Sequence, residues 1–124
     1  MGTFAEALED HLDAIRARDI EALRTTVAPE GVTLVSANGE VSTESDHFLE
    51  LHRDWFRSET WQIETTILSA HEGSDLAVCT MELSYLDKPA GRDVIEVSSV
   101  LTLAFQKIGE RWLLVFDQNT PRRG

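Results

Sequence analysis

Three groups of residues have the chemistry to act on a small molecule: the histidines, a polar run near the end of the chain, and a cluster of aromatics. His52 lies four positions after Phe48 and just before Trp55 and Phe56, so on a helix all four share one apolar stripe. An imidazole titrates near pH ~6.5 when unperturbed, which makes His52 the residue best suited to take and return a proton. The structural alternative is a hydrogen-bonded core histidine, the more common fate on an apolar face. His11, beside Leu8, Leu12 and Ile15, has the same two readings and the weaker claim. His47 near a helix start and His71 at a turn read as exposed. Asp117, Gln118 and Asn119 follow five apolar residues, Trp112 to Phe116, a pattern that buries a strand on both faces. A carboxylate at the end of such a strand sits in a poor dielectric and holds its proton more tightly, as a general base requires. Alternation sends Asp117 and Gln118 to opposite faces. The bulkier set Trp112, Leu114, Phe116 and Gln118 is expected inside, with Asp117 outside. These polar residues could also simply satisfy backbone groups where the strand ends.

Other chemistries lack their signatures. There is no His-x₃-His pair and no Cys–His cluster, and His47 and His52 diverge on a helix, so no metal is expected. No Gly-x-Ser-x-Gly elbow and no glycine-rich phosphate loop occur, so neither a serine nucleophile nor a nucleotide cofactor is expected. The lone Cys79 lies in an apolar run and reads as a buried small hydrophobe, which fits a reducing, cytoplasmic setting. With 22 acidic and 11 basic residues the net charge is −11, which repels nucleic acid and anionic membrane surfaces. No secretory leader is expected at the N-terminus, and no apolar run reaches the ~20 residues that span a bilayer.

The elements that must position these residues follow from periodicity. Phe4, Leu8, Leu12 and Ile15 recur at helical spacing. Asp19 is the expected N-cap of a second, shorter helix with Ile20, Leu23 and Val27 as its stripe, ended by Pro29 and Gly31. A short strand over 32–37 closes on Asn38-Gly39, a strong hairpin signal, and returns at Val41. Thr43 or Ser45 would cap a third helix, whose apolar positions are Phe48, Leu51 or His52, and Trp55 with Phe56. From Trp61 the period becomes two. Trp61–Ala70, Leu76–Leu86, Val94–Lys107 and Arg111–Thr120 are four long strands joined by short turns, hence antiparallel. Three N-terminal helices packed on a curved antiparallel sheet make an α+β fold, expected as one domain over 1–124. The strands should curl over the helices and leave a concave space. Trp55, Phe56, Trp61 and Tyr85 are expected to be core and pocket wall together.

The stretches ARDIEAL at 17–23, HFLELHRDWF at 47–56 with TWQIE at 60–64, and GERWLLVFDQNTP at 109–121 resemble the nuclear transport factor 2-like superfamily. That group has a cystatin-like, cone-shaped barrel and includes SnoaL-like cyclases, ketosteroid isomerase, scytalone dehydratase and a kinase association domain. The resemblance implies a small apolar ligand in the mouth of the cone and a homodimer formed through the outer sheet face. Two departures bear on activity. Many relatives end the final strand with a histidine where this chain has Gln118, and the tyrosine that ketosteroid isomerase carries on its first helix has no counterpart, Tyr85 being the sole tyrosine. On this reading the chain binds a small apolar molecule, as a cofactor-free isomerase, cyclase or dehydratase in which His52 or Asp117 takes a proton and Gln118 or Asn119 holds the oxyanion. The alternative is a non-catalytic ligand-binding or protein-interaction module.

Overall fold

The computed structural model describes residues 2–122. Thr3 opens the first helix, α1 (Phe4–Arg16), with a capping box: its hydroxyl accepts from the Glu6 amide, and the Glu6 carboxylate accepts from the Thr3 amide. Phe4, Leu8, Leu12 and Ile15 form the buried stripe, as their spacing demands. Arg18 then takes a left-handed φ of 55° and turns the chain. Asp19 caps α2 (Ile20–Arg24), its side chain accepting from the Ala22 amide. This helix stops well before Pro29. The hydroxyls of Thr25 and Thr26 bond back to the carbonyls of Ala22 and Leu23, and Val27 leaves the helix to bridge Leu114.

β1 (Thr33–Val35) and β2 (Val41–Ser42) form the short hairpin, with Gly39 at φ 89° supplying the left-handed turn position. The third helix, α3 (Ser45–Trp55), is preceded by Glu44, which offers no side-chain cap. Ser45 is inside the helix instead, donating its hydroxyl to the Ala28 carbonyl at 2.5 Å. On α3 the inward positions are Phe48, Leu49 and His52, while Leu51 is exposed.

The long strands are β3 (Trp61–Glu72), β4 (Leu76–Asp87), β5 (Ile95–Ile108) and β6 (Arg111–Pro121). They pair antiparallel in sequence order, and the sheet order is β2-β1-β6-β5-β4-β3. Gly109 at φ 65° makes the two-residue turn from β5 to β6 possible. The sheet is curved and open, with the helices packed on its concave side. It is mixed rather than antiparallel throughout, because β1 runs parallel to β6. Most of the chain separates these two strands, so no short connector dictates their relative direction.

Two bulges break the alternation. One sits at Leu68 in β3; the other is at Val115 in β6, where Phe105 faces Leu114 but the next residue on β5, Ala104, faces Phe116. The core on the concave side includes Leu23, Phe48, Trp61, Met81, Leu103, Phe105 and Leu114.

Candidate functional site

A cavity of about 210 Å³ lies between the helices and the concave face of the sheet. α1 contributes Leu12 and Ile15, and α3 contributes His52 and Trp55. Leu34, Ser36 and Ala37 come from the β1 hairpin. The sheet closes the rest with Ile63, Leu83, Leu101, Asp117 and Asn119. Most of this wall is apolar, and it contains no arginine or lysine.

Asp117 reaches the cavity because of the Val115 bulge. Strict alternation from Leu114 would turn Gln118 inward, the orientation expected from bulk. The extra residue shifts the phase, so Asp117 pairs with the wholly buried Leu103 and Asn119 with the buried Leu101. Gln118 instead pairs with Thr102 and faces outward, which corrects its expected place in the pocket. Asp117 is only 7% exposed. Burial alone pushes its carboxyl up to about 7, and no hydrogen bond from the described residues offsets that shift.

His52 projects from the last turns of α3. Its Nδ1 lies 2.8 Å from the Phe48 carbonyl. A carbonyl can only accept, so Nδ1 carries the hydrogen and Nε2 keeps the lone pair. The ring stacks on Phe48 with centroids 4.1 Å apart. Burial lowers the affinity of His52 for a second proton, and the bond to Phe48 restores only part of it. The imidazole is therefore neutral at pH 7.

The aromatics divide into wall and buttress. Trp55 lines the cavity and stacks on Trp61 at 4.1 Å, with planes 16° apart. Trp61 is buried beneath that stack, with the Arg18 guanidinium 4.1 Å from its centroid on the cation-π side and its indole N–H donating to the Trp55 carbonyl. Arg18 also donates to the backbone carbonyls of Ser58, Glu59 and Trp61. Tyr85 stacks on Trp61 and donates to Asp87, while Phe56 packs behind His52 and Trp55. Phe56, Trp61 and Tyr85 thus support the wall without lining it, a second correction to the expected pocket set.

His11 is wholly buried among Phe48 and Phe105. Its Nδ1–H donates to the Thr26 hydroxyl at 2.8 Å, because that hydroxyl spends its own proton on the Leu23 carbonyl. Nε2 has no partner among the described residues. Burial, with the nearby His52, drives its pKa down to about 3, so it is a neutral core residue. His47 and His71 are exposed and lie away from the cavity.

The cavity therefore brings together His52, Asp117, Asn119 and Trp55 from the candidates. Sequence reasoning did not assign Leu12, Ile15, Leu34, Ser36, Ala37, Ile63, Leu83 and Leu101 to the wall. Alternation along β3, β4 and β5 carries a signal for Ile63, Leu83 and Leu101; nothing local marks Ser36 and Ala37. Among the described residues no cluster of His, Cys, Asp or Glu could hold a metal ion, and no helix is long and apolar enough to cross a membrane.

The sequence matches the SnoaL-like domain over residues 5–118, nearly the whole chain. The chain belongs to the SnoaL-like domain family. No protein of curated function matches it. Solved structures similar to this SnoaL-like chain include a nuclear transport factor 2-like protein from Streptomyces avermitilis, provisionally named a dehydratase, at 17% identity and TM-score 0.80, covering 97% of this chain and 94% of that one. A ketosteroid isomerase-like protein from Erwinia carotovora atroseptica is 17% identical at TM-score 0.77, with the same 97% and 94% coverage. The association domain of CaMKII from C. elegans is 20% identical at TM-score 0.72, covering 94% of this chain and 91% of that one. At these identities the likeness is one of fold, and enzymes and assembly domains share it.

Proposed function

We propose that the cavity binds a small, largely apolar molecule and that Asp117 moves a proton on it. One observation carries this reading: a buried carboxyl without a hydrogen-bond partner among the described residues faces an apolar space and holds its proton near neutrality. A general base works best when its proton affinity matches the ambient pH, and the elevated Asp117 meets that condition without a metal or cofactor. Asp117 takes a proton from a carbon beside a carbonyl, His52 Nε2 accepts or relays a second one, and the Asn119 amide bonds the developing oxyanion. The reactions open to this set are isomerisation, cyclisation or dehydration. Residues 1–124 act as one cytoplasmic SnoaL-like unit in this reading.

The test is a pH–rate profile on a turned-over carbonyl compound. The expected profile has an ionisation near pH 7 that disappears in Asp117→Asn. A folded Asp117→Asn protein that keeps the full rate would show that Asp117 is not the base.

A second reading, an association module, has its own support. The outer sheet face presents the half-buried Val78, Val100, Ala104 and Phe116 around the Thr80–Thr102 hydroxyl pair. A CaMKII association domain has the same fold. A homodimer through this face doubles the 13.9 kDa mass in light scattering, and a 13.9 kDa particle at micromolar concentration excludes it.

A further inference from the structure

The polar atoms that the cavity leaves free differ in kind, and the difference selects a ligand. His52 commits its only N–H to the Phe48 carbonyl, so toward a ligand it can only accept. Ser36 commits its hydroxyl proton to Asn38 Oδ1 at 2.6 Å. Asp117 has no donor beside it among the described residues, and above pH 7, where it is a carboxylate, it accepts only. Among the lining side chains the Trp55 indole N–H is engaged by the Tyr85 hydroxyl, which leaves the Asn119 amide to offer N–H groups. No cation among the lining residues balances an anion, and the rest of the wall is hydrocarbon and the Trp55 ring.

From this geometry we infer that the cavity takes small compounds whose apolar body carries a hydroxyl or amino head, an X–H donor aimed at Asp117 and His52, and that it excludes anions. A donor head supplies what two buried acceptors lack, and an acceptor-only ligand leaves them desolvated and unpaired. A carboxylate ligand would bring a second negative charge into a poor dielectric. Size adds a bound. At about 210 Å³ the space lies below the range of ~300–1,000 Å³ that holds drug-sized ligands, so a single ring or short chain fills it. This inference rests on the cavity reading above, and within it the substrate narrows to hydroxy or amino compounds, with any carbonyl left to Asn119.

Four probes of one skeleton test it: benzyl alcohol, benzylamine, benzaldehyde and benzoate, each titrated at about pH 8, where Asp117 is ionised, into the ¹⁵N-labelled protein while the Trp55 indole and Asn119 amide signals are followed. The alcohol and the amine are expected to bind about tenfold or more tighter than the aldehyde and benzoate. A lead for the amine identifies a cationic ligand, and parity with the alcohol a neutral one; both fit the donor rule. In Asp117→Asn the lead of the amine over the alcohol should vanish. His52→Phe provides the second, independent variant, in which the alcohol loses its margin over the aldehyde. Aldehyde or benzoate binding as tightly as the alcohol overturns the donor rule and leaves the cavity reading standing. Failure of all four to move the two signals overturns both.

Discussion

His11 and Asp117 are both buried, ionisable and enclosed by the same helices and sheet, yet the protein surrounds them differently. His11 is packed on Phe48 and Phe105 and tied to Thr26. Asp117 faces open space and has no tie to the described residues. One region uses a polar group to join α1 to the segment after α2; the other leaves a polar group available. Both shifts come mainly from burial, but they act in opposite directions on stability. His11 falls from 6.5 to about 3, so the unfolded chain binds its proton first, and stability is lost as pH falls below 6.5. Asp117 rises from 3.8 to about 7, so the folded chain holds a proton that the unfolded chain releases. Its contribution is complete below pH 3.8 and is lost as pH rises through 7. Between 3.8 and 6.5 the two slopes oppose each other, with His52 adding to the acid side.

Breaking the packed region should have the largest effect. Phe105→Ala removes a wholly buried ring against Phe4 and His11 and should cost about 3–5 kcal/mol in urea denaturation. Next comes Asp117→Asn, which removes the alkaline loss. Its stability gain over the parent should be small near pH 4 and grow to at most about 4 kcal/mol at pH 8, set by the roughly three-unit shift. A gain that does not depend on pH would mean the carboxyl titrates normally. His11→Phe should cost about 1 kcal/mol at pH 7 through the lost bond to Thr26, whose hydroxyl keeps the Leu23 carbonyl as its acceptor. It should also weaken the acid limb, leaving His52 alone to oppose the Asp117 slope below pH 6.5. Leu34→Ala sharpens the contrast at the other end. It enlarges a space that already exists, so roughly 1 kcal/mol is expected, well below the cost of a new cavity.

The elements were legible because their signals are local. The Phe4–Ile15 stripe, the Asp19 cap, the Asn38-Gly39 hairpin and the switch to period two at Trp61 each sit in a few adjacent residues, and each element formed there. What escaped depends on distant partners. The parallel pairing of β1 with β6 joins strands with no turn between them. The end of α2 at Arg24 follows from Val27 pairing with Leu114, far along the chain, and not from Pro29. The placing of the candidate residues divides in the same way. Helical spacing put His52 and Trp55 on one inward stripe, the third helix obeys it, and both line the cavity. The facing of Asp117 was inverted because a run of five apolar residues, buried on both faces, conceals an extra residue in its middle.

That extra residue also changes what β6 can tolerate. Upstream of Val115 the strand is neighboured by Val27, and downstream by β1 starting at Thr33 opposite Phe116, so the bulge lies where one neighbour hands over to the next. The two halves are phased independently, Trp112 and Leu114 by the core and Asp117 and Asn119 by the cavity. Val115 is the slack between them. Deleting it should close the bulge and leave Leu114 opposite Phe105 and Asp117 opposite Leu103. A residue lost anywhere else from Trp112 to Asp117 would demand that the slack be spent first. A length change, ordinarily the most disruptive edit to a central strand, has one position here at which the molecule has already made room for it.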